Sequence, residues 1–160
     1  MATSVSADNA QAQILVVDDN LINRKKMRMS VRALGHNSTL AENGMVALEA
    51  LRNNTFDVVL LDLVMPEMDG FDVLRELKSD KRLSHIPVIV VTAYDEQTDS
   101  VVKAIELGAE DVLPKDFNPV LLKARLDTSL AKKRYRDQEI EYFKRVEICL
   151  LYTSPSPRDS

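Results

Sequence analysis

Val58-Val59-Leu60-Leu61 is an unbroken apolar run that stops on a carboxylate, Asp62, with Pro66 and Gly70 close behind. Four consecutive apolar residues, two of them β-branched, suit a short strand buried on both faces, as strands inside a parallel sheet are. Pro66 and Gly70 break the pattern before an amphipathic run. Asp62 is therefore expected where a buried strand hands its last side chain to a crevice, the edge at which open α/β sheets bind ligands.

Ile14-Leu15-Val16-Val17 followed by Asp18-Asp19 has the same design. Placed side by side, the two runs would bring three carboxylates together. Two unit charges about 4 Å apart repel by roughly 4 kcal/mol at an effective dielectric near 20, so such a cluster calls for a bound cation or raised pKa values. A hard divalent ion taken by oxygen ligands, Mg²⁺ above all, answers that need. Asp at a strand end is also an ordinary turn or N-cap residue, so the two runs gain their meaning from the rest of the chain.

A chain of 160 residues suits one domain with short extensions. No apolar run approaches the roughly 20 residues that span a bilayer, and the opening Met1 to Gln13 has neither the basic start nor the apolar centre of a secretory signal. A cytoplasmic location without membrane association is expected. The formal net charge of -4 argues against generic nucleic-acid binding. The single Cys149 excludes an internal disulfide, and His36 and His85 stand apart from any transition-metal spacing, so a metal should be oxygen-bound.

Taken in order, residues 1–12 lack periodicity and read as a disordered arm. Strand one is Gln13 to Val17. Asn20 is placed to cap a helix whose apolar positions are Met27, Val31 and Leu34, with Gly35 to end it. Its Arg24, Lys25, Lys26, Arg28 and Arg32 read as a solvated face, with partner docking as the sharper alternative. Ser38 to Ala41 is a more polar strand suited to the sheet edge, and Met45 to Arg52 is a helix. Phe71, Leu74 and Leu77 mark a third helix, Ile86 to Val91 a fourth strand, and Val101, Val102 and Ile105 a fourth helix stripe. Asp111-Val112-Leu113 is a fifth strand, and Asn118-Pro119 opens a last helix with an N-cap and a first-turn proline.

Alternating strands and helices of this kind make a parallel sheet covered on both faces. Four of the strands end in distinctive polar residues: Asp18 and Asp19, Asp62, Thr92, and Lys115. An acid cluster able to hold a metal, a hydroxyl and an ammonium on one sheet edge are the parts needed to handle a phosphoryl group.

These residues, with Met65-Pro66-Glu67-Met68-Asp69-Gly70 just beyond Asp62 and Thr92-Ala93 after strand four, resemble the receiver domains of two-component response regulators over about Gln13 to Thr128. The resemblance implies a flavodoxin-like (βα)5 doubly wound parallel sheet in order 2-1-3-4-5, with an extended C-terminal helix. It implies that Asp62 accepts a phosphoryl group from a sensor histidine kinase or histidine phosphotransfer protein. It further implies Mg²⁺ held directly by Asp19, Asp62 and the backbone carbonyl of Val64, with Asp18 acting through water. Lys115 would pair with Asp62 and then with the phosphoryl oxygens, and Thr92 would move its hydroxyl onto them beside the small Ala93. Chemically such a module is an acceptor rather than a turnover enzyme.

Two positions depart from the family pattern. Val112 stands where an aromatic switch residue is usual, with Tyr94 the only nearby ring, and Asp116 follows Lys115 where proline is usual, Pro114 preceding it. An unstrained trans peptide or a retained strained one is expected there, and Lys115 turned away from Asp62 would count against the site.

The domain reading is an arm at 1–12, a receiver at 13–128, a connector or signalling helix at 129–147, and a disordered, non-native tail at 148–160 of the kind left by sequencing adapters, with an output domain expected beyond. Leu122, Leu126, Ile140 and Phe143 fit a heptad-like seam that Lys133 and Arg136 interrupt. A homodimer through the helix 4/strand 5/helix 5 face or the C-terminal helix is a further expectation. The alternatives are a Mg²⁺-dependent phosphohydrolase on a related sheet, opposed by Asp18-Asp19-Asn20 in place of Asp-x-Asp, and a flavodoxin, opposed by the lack of a phosphate-cradling loop after strand one.

Overall fold

In the computed structural model, residues 11–63, 65, 68–92 and 98–153 are described, the side chains of 98 and 149–153 excepted. The chain alternates β1 (Gln13–Val17), α1 (Leu21–Ala33), β2 (Asn37–Ala41), α2 (Gly44–Asn53), β3 (Val58–Asp62), α3 (Gly70–Ser79), β4 (Val88–Thr92), α4 (Thr98–Glu106), β5 (Asp111–Pro114) and α5 (Pro119–Thr153). All four strand pairings are parallel, in the order β2-β1-β3-β4-β5. The order reverses between β1 and β3, so the crevice outside their carboxyl ends is the topological switch point of the sheet.

The period-2 alternation of strand side chains divides each apolar run between two cores. Leu15, Val17, Val59, Leu61, Val88 and Val90 pack against α2, α3 and α4. Ile14, Val16, Leu60, Ile89, Val91 and Leu113 pack against Met27 and Val31 of α1 and Leu122 and Leu126 of α5. Every residue of β3 and β4 is buried, whereas β2, at the sheet edge, alternates with solvent.

Caps fall where the sequence puts short polar side chains. Asn20 accepts a hydrogen bond from the Asn23 amide, Asn43 from Val46, Asp69 from Asp72 and Asn118 from Leu121. Gly35 ends α1 with φ +91°, the left-handed conformation that favours glycine.

Two sequence expectations need correction. In α4, Val102 and Ile105 face solvent, and the side chain fully buried against the sheet is Ala104. The seam of α5 is the second. Leu122, Leu126, Ser129 and Lys133 are buried and Arg136 half-buried, so this stripe lies on the chain's own body. Lys133 Nζ donates to Asp137 at 2.6 Å and lies 4.0 Å from Asp57. Arg136 donates to Glu110 at 2.7 Å and to the carbonyl of His85 at 3.1 Å, while Lys132 lies 3.6 Å from Glu110. Lys133 and Arg136 interrupt the heptad because they fasten the helix to the amino-terminal edge of the sheet. Beyond them, every residue from Gln138 to Ile148 is exposed, Ile140 and Phe143 included, and the helix continues past Glu147 to Thr153. No helix among the described residues is long and apolar enough to cross a membrane.

Candidate active site

The parallel register delivers the acids to one place. Val17 of β1 is paired with Leu61 of β3, so the next residue of each chain, Asp18 and Asp62, emerges side by side at the carboxyl edge. Asp62 is paired with Val91 of β4, and Thr92 with Pro114 of β5, which sets Thr92 and Lys115 on the other flank. Asp18 and Asp62 are buried and Asp19 is exposed, and one carboxylate oxygen from each of the three lies within 4.8 Å of the other two. Lys115 Nζ stands 3.4 Å from Asp62 Oδ2, pointed into the site. Thr92 is buried at the end of β4. Val64, Ala93 and Tyr94 lie outside the described residues.

Asp18 carries the electrostatic signature of the cluster. Its Oδ1 accepts from the Asn20 amide at 2.8 Å, while its buried Oδ2 has no hydrogen-bond partner. Burial pushes this carboxyl above the ordinary range, with neighbouring Asp19 adding to the rise, against the lowering effects of the Asn20 amide and the Lys115 ammonium. An unpartnered buried carboxylate oxygen beside two more carboxylates suits a hard cation with oxygen ligands.

The start of α3 is held against the end of β3 by backbone packing. The Gly70 amide donates to the Leu63 carbonyl at 3.0 Å, and a Cβ at Gly70 would collide with the Asp62 carbonyl oxygen. Only glycine permits this approach. Across the site, the Lys115 amide donates to the Thr92 carbonyl at 2.7 Å, and the described residues contain no cis peptide, so Lys115-Asp116 is trans.

Arg24 and Lys26, on the face of α1 that the sequence alone marks as solvated, both donate to main-chain carbonyls. Arg24 Nη1 donates to the Asp18 carbonyl at 2.8 Å, and Lys26 Nζ donates to the Lys115 carbonyl at 2.9 Å. The signal that could have singled out Arg24 is its spacing of four residues from the Asn20 cap, which sets both on one helix face above the end of β1.

The sequence matches the family model of the response regulator receiver domain over residues 14–127. The chain belongs to this receiver family. Chemotaxis protein CheY-3 of Vibrio cholerae is 35% identical over 120 residues, which cover 74% of this chain and 92% of that protein. The transcriptional regulatory protein ZraR of Klebsiella oxytoca is 35% identical over 148 residues, 92% of this chain and 33% of ZraR. The receiver spans about a third to a half of the length of the first curated relatives it matches. Among solved structures, the receiver domain of a sensor histidine kinase from Pseudomonas aeruginosa PAO1, with a magnesium ion coordinated in its active site cleft, superposes with a TM-score of 0.70 at 29% identity, covering 76% of this chain and 99% of that one. The receiver is thus a CheY-like module of two-component signalling, with the sheet order expected from its sequence.

Proposed function

We propose that this receiver is a phosphoacceptor switch in which Asp62 takes a phosphoryl group from the phosphohistidine of a sensor histidine kinase or a histidine phosphotransfer protein. The observation that carries the reading is the convergence of three carboxylates with Lys115 Nζ 3.4 Å from Asp62. An Asp62 oxygen attacks phosphorus, the P–N bond to the donor imidazole breaks, and the imidazole leaves with the electron pair and is protonated. Lys115 neutralises charge on the equatorial oxygens, and Thr92 supplies a hydroxyl to the bound group. Asp19, Asp62 and the Val64 carbonyl would hold Mg²⁺ directly, and Asp18 through water. Held by those groups, Mg²⁺ would supply positive charge that offsets the acids and the incoming phosphoryl oxygens.

The new group brings close to two negative charges to the β4 and β5 ends, and its contacts with Thr92 and Lys115 bias the arrangement of α4, β5 and α5. Exposed Val102 and Ile105 on α4 and Val120 on α5 support pairing with a second copy across this face in a cytoplasmic setting, and an unchanged monomer mass on acceptor loading would reject it. The output is a partner or an attached domain.

Intact mass after incubation with acetyl phosphate, and separately with a phosphohistidine donor, tests the acceptor. A Mg²⁺-dependent, hydroxylamine-labile adduct absent from Asp62→Asn is expected. A folded protein that takes no adduct from either donor overturns the reading, and steady turnover of a small phosphate ester would restore the phosphohydrolase.

A further inference from the structure

Lys115 stands on a short turn whose main chain has few fixed points. Its amide is held by the Thr92 carbonyl, and the Phe117 amide donates to the Pro114 carbonyl at 3.1 Å. Asp116, between them, is exposed and imposes none of the φ constraint of a proline ring. The Lys115 carbonyl is fixed from elsewhere in the chain, by the Lys26 ammonium of α1 at 2.9 Å across 89 positions of sequence.

Lys26 is itself held. Its ammonium lies 4.7 Å from the centre of the Phe117 ring, which is buried against the β1–β3–β4 face of the sheet. The turn therefore presents two partners to one cation, a carbonyl and a ring, and α1 supplies the cation. Lys26 lines a small cleft with Asp18, Asn23 and Lys115, so the tether closes the flank of the acid cluster where α1 meets the turn after β5.

We infer that Lys26 is a positioning residue for Lys115. By holding the Lys115 carbonyl and capping the Phe117 ring, it fixes the direction in which the Lys115 side chain leaves the turn and keeps its ammonium on Asp62. Its catalytic consequence rests on the acceptor reading of Asp62; its structural content does not. A cationic N–H donor is required because it must donate to the carbonyl and face the ring at once, which an Arg guanidinium can also do.

The test uses the whole chain with ¹³C-labelled lysine and follows the Lys115 side-chain signal, assigned through Lys115→Arg, without any phosphoryl donor. In Lys26→Met this signal is expected to move to the position it takes in Asp62→Asn, whereas Lys26→Arg leaves it in place. Where the wild type forms the adduct, Lys26→Met slows its formation about tenfold, the scale of one net hydrogen bond, and Lys26→Arg restores it. Because positioning acts through a contact, the loss persists at high salt; a general effect of positive charge would be screened away. Phe117→Leu, which keeps the carbonyl and removes the ring, gives a smaller shift of the same sign. A Lys115 signal unmoved in Lys26→Met overturns the inference, whatever the fate of the adduct. Failure of the wild type to form an adduct, with the signal shift present, counts against the acceptor reading alone.

Discussion

Gly70 and Asp62 meet through their backbones: the Cα of the glycine sits so close to the Asp62 carbonyl that a methyl group there would strike it and approach Leu63 Cα to 2.6 Å. The first turn of α3 thereby props the strand end that carries the central acid. Helix propensity favours Ala over Gly by about 1 kcal/mol, but overpacking against main chain that cannot rotate away costs typically 1–3 kcal/mol. Gly70→Ala is therefore expected to lower the urea unfolding free energy and to reduce adduct formation at Asp62, because relief of the clash displaces the acid. A variant at least as stable as the wild type would mean that α3 moves instead.

Mg²⁺ should stabilise the fold by an amount that depends on Asp18. A ligand that binds only the folded state contributes about 2.7 kcal/mol at a hundredfold excess over its dissociation constant. Asp18→Asn removes a buried charge, one oxygen of which has no hydrogen-bond partner, beside two others, so the metal-free variant should be more stable than the wild type by about 1 kcal/mol, and its gain on adding Mg²⁺ should be smaller. Thermal unfolding with chelator and with Mg²⁺ measures both quantities; equal gains in the two proteins would remove Asp18 from the ion's surroundings.

The seam of α5 predicts a sharp change in sensitivity along one helix face. Leu126 is fully buried against the sheet, whereas Phe143, on the continuation of that stripe, is exposed. Leu126→Ala should destabilise the receiver by about 2–5 kcal/mol, and Phe143→Gln should leave it within about 0.5 kcal/mol. Chemical denaturation of the two variants at low protein concentration gives the comparison, and a large loss in Phe143→Gln would place a partner on the distal helix.

The attachment of α5 should weaken in acid. Burial alone would raise the Glu110 carboxyl, but the Arg136 guanidinium, with Lys78 and Lys132, holds it below its ordinary value of 4.5. A carboxyl whose folded pKa is depressed contributes stability that is fully present above the unfolded value and is lost as pH falls through the folded one. Arg136→Met should thus cost about 1 kcal/mol at neutral pH, and its difference from the wild type should shrink once the pH drops below the carboxylate range. Urea titrations at the two pH values decide it; a constant difference would assign the effect to the bond with the His85 carbonyl.

What was legible in the sequence followed from burial on both faces. β3 could be read as a strand ending in an acid at the carboxyl edge of the sheet because each of its residues is buried, leaving an apolar run with no gap. The two acids of the first strand, the hydroxyl of Thr92 and the ammonium of Lys115 were likewise found from their places at strand ends, and parallel pairing does the rest. Lys133 and Arg136 looked like faults in a heptad because the groups that fasten them to the sheet, Asp57, His85 and Glu110, lie far off in sequence, and the local Lys133–Asp137 pair alone does not announce them.

Ala104 was missed for a different reason. Its small side chain contributes little to a hydrophobic stripe, while Val102 and Ile105, which define one by eye, lie on the solvent side. Arg24 and Lys26 were hidden because a hydrogen bond to a main-chain carbonyl leaves no complementary residue to notice.

The sheet itself sets a spacing between the acids at one end of its strands and the ion pairs that secure α5 at the other. Five residues of strand span about 17 Å, and the securing groups Lys132, Lys133 and Arg136 are balanced in sign by Asp57, Glu110 and Asp137. A change in how the long helix is anchored therefore leaves the field at the acids almost untouched. The anchoring of the long helix can thus vary without disturbing the charge balance around the three carboxylates.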